Sequence, residues 1–102
     1  MKPAFRLTPR ASADLKNIAR YTRQRWGEAQ RETYMRALDA RFHWLTEHPH
    51  SGRHRPDIAE GYYSFPEGSH VIFYLIGTGV IDIIGVPHKQ MDTPAYFGDV
   101  EP

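Results

Sequence analysis

The second half of the chain contains side chains that could perform acid–base chemistry. Cleavage of RNA without a metal needs a base for the 2′-hydroxyl group, an acid for the leaving oxygen and cations for the phosphorane. The residues that could supply these groups are Arg53, Arg55, His70, His88, Lys89 and Tyr96. The two apolar segments that lie among these residues, 70–76 and 80–86, contain no Lys or Arg that could add positive charge. The sequence therefore favours a binding surface, and a ribonuclease stays as the alternative.

Length and composition limit the class of protein. At 102 residues, 40% of them apolar or aromatic, the chain predicts one globular domain, 1–102. The 13 Lys and Arg residues nearly balance the 12 Asp and Glu residues, so no overall basic field indicates nucleic acid. Cysteine is absent, which excludes disulfides, thiolate catalysis and Cys-ligated zinc. Because "MKPAFRLTPRASADL" lacks the apolar core of a secretory signal and no apolar run could cross a bilayer, we expect a soluble cytoplasmic protein.

Two amphipathic helices are predicted in the first half of the chain. The first follows a short strand at 4–8, has Thr8 as its N-cap and ends at Gly27. The second starts directly after it and runs to about His48. Their buried stripes are Ala11, Leu15, Ile18, Thr22 and Trp26 in the first helix, and Tyr34, Ala37, Leu38, Phe42, Trp44 and Leu45 in the second. The short link makes them an antiparallel hairpin, with both tryptophans expected to anchor the core.

Three short strands are predicted at 62–65, 70–76 and 80–86. A three-residue loop at 77–79, with Gly79 in the left-handed backbone region, sets the register of the last two strands. This register places against the helices Val71, Phe73, Leu75, Ile81, Ile83 and Gly85, and on the open face His70, Ile72, Tyr74, Asp82, Ile84 and Val86. The apolar open face predicts a covering partner. The faces of strand 62–65 stay ambiguous, because its loop could hold two or three residues.

The element order β-α-α-β-β-β predicts an α+β fold, in which an antiparallel sheet carries an α-helical hairpin on one face. The loop "HPHSGRHRPDIAEG" holds three histidines, His48, His50 and His54, at irregular spacing and without a carboxylate pair. We therefore predict no metal site and no cofactor. Arg53 and Arg55 make this loop the densest basic part of the chain, and a solvated loop is their simplest interpretation.

Four segments together carry a resemblance to a known family: "ADLKNIARYTRQRWG", "HPHSGRHRPDI", "GYYSFPEGSHVIFY" and "PHKQMD". Their order and spacing resemble the ParE branch of the ParE/RelE toxin superfamily over nearly the whole chain. The resemblance implies a non-enzymatic toxin of a type II toxin–antitoxin pair, silenced by a ParD-like antitoxin and directed against DNA gyrase. The alternatives are RelE-like cleavage of messenger RNA on the ribosome, or a ParE-like protein that has lost its toxicity. The chain departs from the common pattern at Tyr63, Leu75, Gly85 and Pro87, which makes this end of the sheet less cationic.

The apolar open face, the local basic charge and, for the C-terminal segment, the resemblance predict which residues bind partners. The predicted target-binding residues are His88, Lys89, Met91, Asp92, Tyr96 and Phe97. The predicted antitoxin-binding residues are Arg53, Arg55, Ile72, Tyr74, Ile84 and Trp44. We expect the protein to contact nucleic acid only indirectly, through gyrase or the antitoxin complex. Alternative roles are a backbone-bonded strand end for His88, a core plug for Met91 and a helix cap for Asp92. Four strands and two helices would already complete the core, so the segment from His88 onward either docks back as a short helix after Asp92 or is held ready for a target. The resemblance favours the second use, and deletion of 94–102 is therefore predicted to abolish toxicity but not folding.

Overall fold

The structure, a computed structural model, describes residues 4–98, and the remaining residues of the predicted domain 1–102 lie outside the described residues. The elements are β1 (Ala4–Leu7), α1 (Pro9–Trp26), α2 (Glu28–Glu47), β2 (Arg53–His54), β3 (Tyr62–Glu67), β4 (His70–Gly77), β5 (Val80–Gly85) and α3 (Thr93–Tyr96). The α+β fold is confirmed, as are the two long helices and the three predicted strands after them. The two-residue strand β2 and the short helix α3 extend the predicted element order.

The sheet has the strand order β1-β5-β4-β3-β2 within the described residues. The neighbouring pairs from β5 to β2 are antiparallel, but β1 lies parallel to β5, with Phe5 opposite Ile81. The prediction of a wholly antiparallel sheet is therefore wrong at this edge. Parallel neighbours need a long crossover connection, and nearly the whole chain lies between these two strands. No local pattern in the sequence records such a distant pairing.

The faces of β4 are the reverse of the prediction. Gly77 pairs with Val80 and Tyr74 pairs with Ile83, so the hairpin loop holds two residues rather than three. Gly79 does have a φ of 70°, as expected. A one-residue change of register moves every side chain of a strand to its other face. Ile72 and Tyr74 consequently lie in the core under the helices, each 0% exposed, and do not form an open face.

The core lies between the helical hairpin and one face of the sheet. Its buried residues are Ala11, Ile18, Leu38, Phe42 and Leu45 from the helices, and Ile72, Tyr74, Ile81, Ile83 and Val86 from the sheet and its end. Thr8 is the predicted N-cap: its Oγ1 accepts a hydrogen bond from the Ala11 amide at 3.1 Å. Trp44 packs against the core beside Phe65, as predicted.

Trp26 does not anchor the core, contrary to the prediction. Its side chain is 64% exposed, and its ring lies 5.1 Å from the guanidinium carbon of Arg25. Helical periodicity fixes the direction in which a side chain points. It does not tell whether another element lies opposite the last turn of the helix.

Phe97, in the last described part of the chain, packs on the second face of the sheet. Phe97 is 5% exposed, and its ring meets Phe73 at a centroid distance of 5.0 Å and Tyr62 at 5.7 Å. The guanidinium of Arg55 covers Phe73 from another side, at 5.5 Å from the ring centroid. Within the described residues the C-terminal segment is therefore docked on the fold with a short helix after Asp92, although the core between the helices and the sheet contains none of its residues. Among residues 4–98, no helix combines the length and the apolar character needed to cross a membrane.

Candidate functional site

A pocket of about 300 Å³ lies where α1 meets the end of the sheet, and we call it the end pocket. Helix α1 contributes Asp14, Asn17, Ile18 and Tyr21 to its lining, and the later part of the chain contributes His70, Val86, Pro87, His88, Met91 and Tyr96. Three of the predicted target-binding residues, His88, Met91 and Tyr96, thus come together. The walls are mostly apolar with a few polar groups, which is the usual character of a protein binding site.

Asp14 ties three parts of the chain together at the end pocket. Its carboxylate accepts a hydrogen bond from the Val86 amide at 2.8 Å and another from the hydroxyl group of Tyr96. Burial, followed by the bond to Asp14, raises the pKa of Tyr96, so this tyrosine remains a protonated donor. Arg10 donates to the Tyr96 carbonyl at 3.0 Å and lies over its ring. The Tyr96 side chain therefore holds α3 against α1.

His70 and His88 form the imidazole part of the pocket. Their backbones make an isolated bridge, and their rings lie 5.4 Å apart. Burial, followed by repulsion from the neighbouring His88, lowers the pKa of His70 to about 4. The ring is therefore neutral near pH 7, and its Nδ1 can accept a hydrogen bond from the hydroxyl group of Tyr34 at 2.6 Å. The same Tyr34 oxygen accepts the Ser69 amide at 2.9 Å, so the strand end is fixed in place.

The segment 88–92 beside the pocket is exposed along its whole length but held by its backbone. The Lys89 amide donates to the Ser69 carbonyl at 2.8 Å, and the Met91 amide donates to the His88 carbonyl at 2.9 Å. His88 Nδ1 accepts the Gln90 amide at 3.1 Å, which confirms the expected bond between His88 and nearby backbone. The thioether side chain of Met91 is 48% exposed. A fixed, solvent-facing segment of this kind is preorganised for contact with another molecule.

The other target-binding predictions have different surroundings. Asp92 stands at the N-cap position of α3, as the alternative interpretation predicted, although its side chain makes no capping hydrogen bond. Lys89 is exposed beside the pocket. Phe97 is buried on the other face of the sheet against Phe73, so in this conformation its ring cannot contact a partner.

The predicted antitoxin-binding residues do not share one surface. Ile72 and Tyr74 are buried beneath the helices, as described above. Arg55 makes its contacts within the fold: it pairs with Asp57, donates to Ser64 at 3.3 Å and covers the ring of Phe73 on the second face of the sheet. Arg53 is exposed on the edge strand β2, Ile84 is half-buried on the face away from the helices, and Trp44 is half-buried on α2.

The loop histidines pack against aromatic rings. His48 stacks on Trp44 at 4.7 Å, and both His50 and His54 contact the ring of Tyr63. Among residues 4–98, no three His, Asp or Glu side chains are grouped closely enough to hold a metal ion.

Asp14, which lines the end pocket, and Tyr34, which bonds to His70, were absent from the predicted site residues. Asp14 carried a signal, because it lies three residues after Ala11 and four before Ile18, within the apolar stripe of α1. A carboxylate on a buried stripe needs donors from another element. The hydroxyl of Tyr34 gave no such signal, since its partners come from a distant hairpin.

Comparison with known proteins places this arrangement in a family. Residues 5–93 match the family described as the ParE toxin of the type II toxin–antitoxin system parDE. The chain is 43% identical to Toxin ParE1 of Caulobacter vibrioides over 96% of this chain and 100% of that relative. It is 38% identical to Toxin ParE1 of Mycobacterium tuberculosis strain H37Rv over 90% of this chain and 95% of that relative. The chain therefore belongs to the ParE toxin family.

A solved structure shares the fold. It is described as the chromosomal ParDE TA system from P. aeruginosa, and its matching chain is 17% identical to this one. The two superpose with a TM-score of 0.71, covering 86% of this chain and 96% of the other. At this identity the likeness concerns the fold alone, and it agrees with the mixed sheet and helical hairpin described above.

Proposed function

We propose that this ParE toxin acts by binding and inhibiting DNA gyrase, through a surface formed by segment 88–92 and the end pocket. The observation that carries the proposal is the exposed, backbone-anchored segment with Met91 beside a mostly apolar pocket. An exposed apolar side chain on a rigid frame contributes contact area at little cost in conformational entropy. Lys89 adds a charge at the rim, where it would guide association. The protein would act in the cytoplasm, where gyrase and DNA are found.

The protein acts in this proposal without catalysing a reaction. The imidazole of His70 is neutral near pH 7 and Tyr96 is held as a protonated donor, so neither supplies positive charge to a phosphorane. Strands β4 and β5 contain no Lys or Arg. Of the other RNase candidates, Arg53 and Arg55 belong to the loop that pairs with β3 and do not line the end pocket, while His88 and Lys89 belong to the segment proposed to contact the target.

A ParD-like antitoxin is the proposed neutralising partner, in line with the ParDE system that the solved structure describes. Ile84, Arg53 and Trp44 remain as candidate contacts, because Ile72 and Tyr74 are buried. Ile84→Asp should weaken antitoxin binding in calorimetry while the protein stays folded. An antitoxin segment that folds on binding should also give a large negative heat-capacity change. Equal affinity of a folded Ile84→Asp variant would remove this face from the antitoxin site.

The test of the target is a supercoiling assay with purified gyrase. Lys89→Glu should reduce inhibition, whereas Arg36→Glu, an equal change of charge on an exposed residue of α2, should not. Cells that express the wild-type protein should accumulate cleaved DNA while messenger RNA stays intact. Cuts in messenger RNA on the ribosome that disappear in Lys89 or Tyr96 variants would instead support the RelE-like alternative.

A further inference from the structure

A second concave surface lies between the two long helices, on the side away from the buried stripe of α1. It is a cleft of about 290 Å³, which we call the basic cleft. Its lining consists of Lys16, Ala19, Arg20, Arg23, Glu28 and Arg31. The three cations of α1 follow at spacings of four and three residues, so they stand in one row along the helix. All three are exposed.

The charges of the chain are segregated around this cleft. Although the whole chain is nearly neutral, the 18 residues of α1 include five Lys or Arg residues and a single acidic one, Asp14. The Asp14 carboxylate points to the opposite side, where Val86 and Tyr96 donate to it. Within the cleft, Glu28 is bound by Arg31, and this hydrogen bond lowers the pKa of Glu28. The row of Lys16, Arg20 and Arg23 therefore keeps its positive field.

We propose that the basic cleft binds the phosphate backbone of duplex DNA without regard to sequence. Lys and Arg rows of this kind supply phosphate contacts, which carry most of the affinity for non-specific DNA. The lining also argues for phosphate over an acidic protein. Interfaces between proteins are anchored by Trp, Tyr and Arg side chains that fill fully desolvated pockets, whereas Arg20 and Arg23 are exposed. Among the described residues that line the cleft, Ala19 alone is apolar.

This binding goes beyond the proposed inhibition of gyrase and stands without it. The basic cleft and the end pocket are lined by different residues, so the two surfaces can be disabled separately. A DNA contact on α1 would leave segment 88–92 available for a protein.

The test measures binding of the full-length protein to a fluorescent duplex of arbitrary sequence by anisotropy, between about 50 and about 200 mM salt. Three phosphate contacts predict a slope of log affinity against log salt of about −3. Arg20→Gln and Arg23→Gln should each weaken binding on every duplex sequence and make the slope shallower by about one. Arg36→Gln is the matched control, because this α2 side chain is 74% exposed and does not line the cleft.

The outcomes separate the proposal from its rivals. Thermal unfolding first establishes that each variant is as folded as the wild type, which their exposed positions predict. Absence of duplex binding at low salt would overturn the proposal, and so would an equal loss in the Arg36→Gln control. A poly-glutamate peptide and unlabelled DNA are compared as competitors. If the peptide displaces the duplex at a lower concentration of negative charges than the DNA does, the cleft binds an acidic protein instead. The gyrase assay with Lys89→Glu is independent of all these results.

Discussion

At the scale of single residues, the hydrogen bonds of the end pocket depend on which titratable side chains carry a proton. Asp14 accepts two hydrogen bonds, and the tyrosine hydroxyl that donates one of them has a raised pKa. His70 is kept neutral by burial and by its neighbour His88. These groups were arranged by long-range contacts, since their partners lie on α1, α2 and the end of the sheet. The sequence identified His70, His88 and Tyr96 as chemically interesting, but it could not assign them a protonation state.

Tyr96→Phe should lower the free energy of unfolding by about 2 kcal/mol, because a hydrogen bond to a charged group is lost and Asp14 loses a donor. The ring and its contacts with Arg10 and Phe97 remain in this variant. Urea unfolding measures the difference. Tyr21→Phe is the matched control, since Tyr21 lines the same pocket but is 63% exposed, and its stability should stay near that of the wild type. Equal stability of the two variants would mean that the Asp14–Tyr96 bond contributes nothing.

The stability of the protein should decrease as the pH falls from about 6.5 to about 4, through His70. In the unfolded chain this histidine takes up a proton near pH 6.5, whereas the folded pKa is about 4, so acid favours unfolding in that window. Such a gap in pKa corresponds to a loss of at most about 3 kcal/mol.

His70→Asn should remove most of this pH dependence, although the variant loses the Tyr34 contact and is less stable at pH 7. Denaturant unfolding at several pH values gives the slope directly. The same substitution at His43, whose side chain is 67% exposed, should keep the wild-type slope. If the His70 variant kept the wild-type slope as well, the proton would be taken up elsewhere.

At the scale of elements, local signals predicted the helices and strands, but not how they pair. Thr8, Gly27 and the apolar stripes placed α1 and α2, and these bounds were confirmed. The faces of β4 depended on one residue in a hairpin loop, and the choice of three residues over two put Ile72 and Tyr74 on the wrong side. The Gly-Thr-Gly sequence is compatible with both loops, so sequence reasoning alone could not decide between them. The parallel pairing of β1 left no local trace at all.

Gly85 is needed for the docking of α3 onto the sheet. A Cβ atom at this position would collide with the hydroxyl group of Tyr96, and a side chain there would push the helix away. Gly85→Ala should therefore destabilise the protein by about 1 to 3 kcal/mol, as expected for overpacking. In the double variant with Tyr96→Phe the obstructing oxygen is gone. The double variant should therefore lose less free energy of unfolding than the two single variants lose together. Additive effects in urea unfolding would show that the helix does not rest on Gly85.

At the scale of the whole molecule, the C-terminal segment is part of the fold as well as a candidate for function. The sequence favoured holding it ready for a target, with 94–102 dispensable for folding. Within the described residues, Phe97 instead fills the second face of the sheet, and Tyr96 is bound to α1. Residues 99–102 of that deletion lie outside the described residues. The deletion would consequently remove a structural contact and a candidate binding contact together, so loss of toxicity would not separate the two causes.

Two substitutions should separate the structural role of this segment from its role in binding. Phe97→Ala removes a buried ring and should cost about 3 kcal/mol, a large part of the stability of a small domain. Met91→Ala changes a side chain that is 48% exposed, so its unfolding midpoint should stay close to that of the wild type.

Gyrase inhibition should rank the two variants in the opposite order from stability. It is measured at a temperature below both unfolding midpoints. Met91→Ala should lose inhibition because Met91 belongs to the proposed contact surface, whereas Phe97→Ala should keep it in proportion to the folded fraction. Circular dichroism supplies that fraction at the assay temperature. A stable Met91→Ala protein with full inhibition would exclude Met91 from the target contact. Complete loss of inhibition in a folded Phe97→Ala protein would mean that Phe97 leaves the sheet to meet the target.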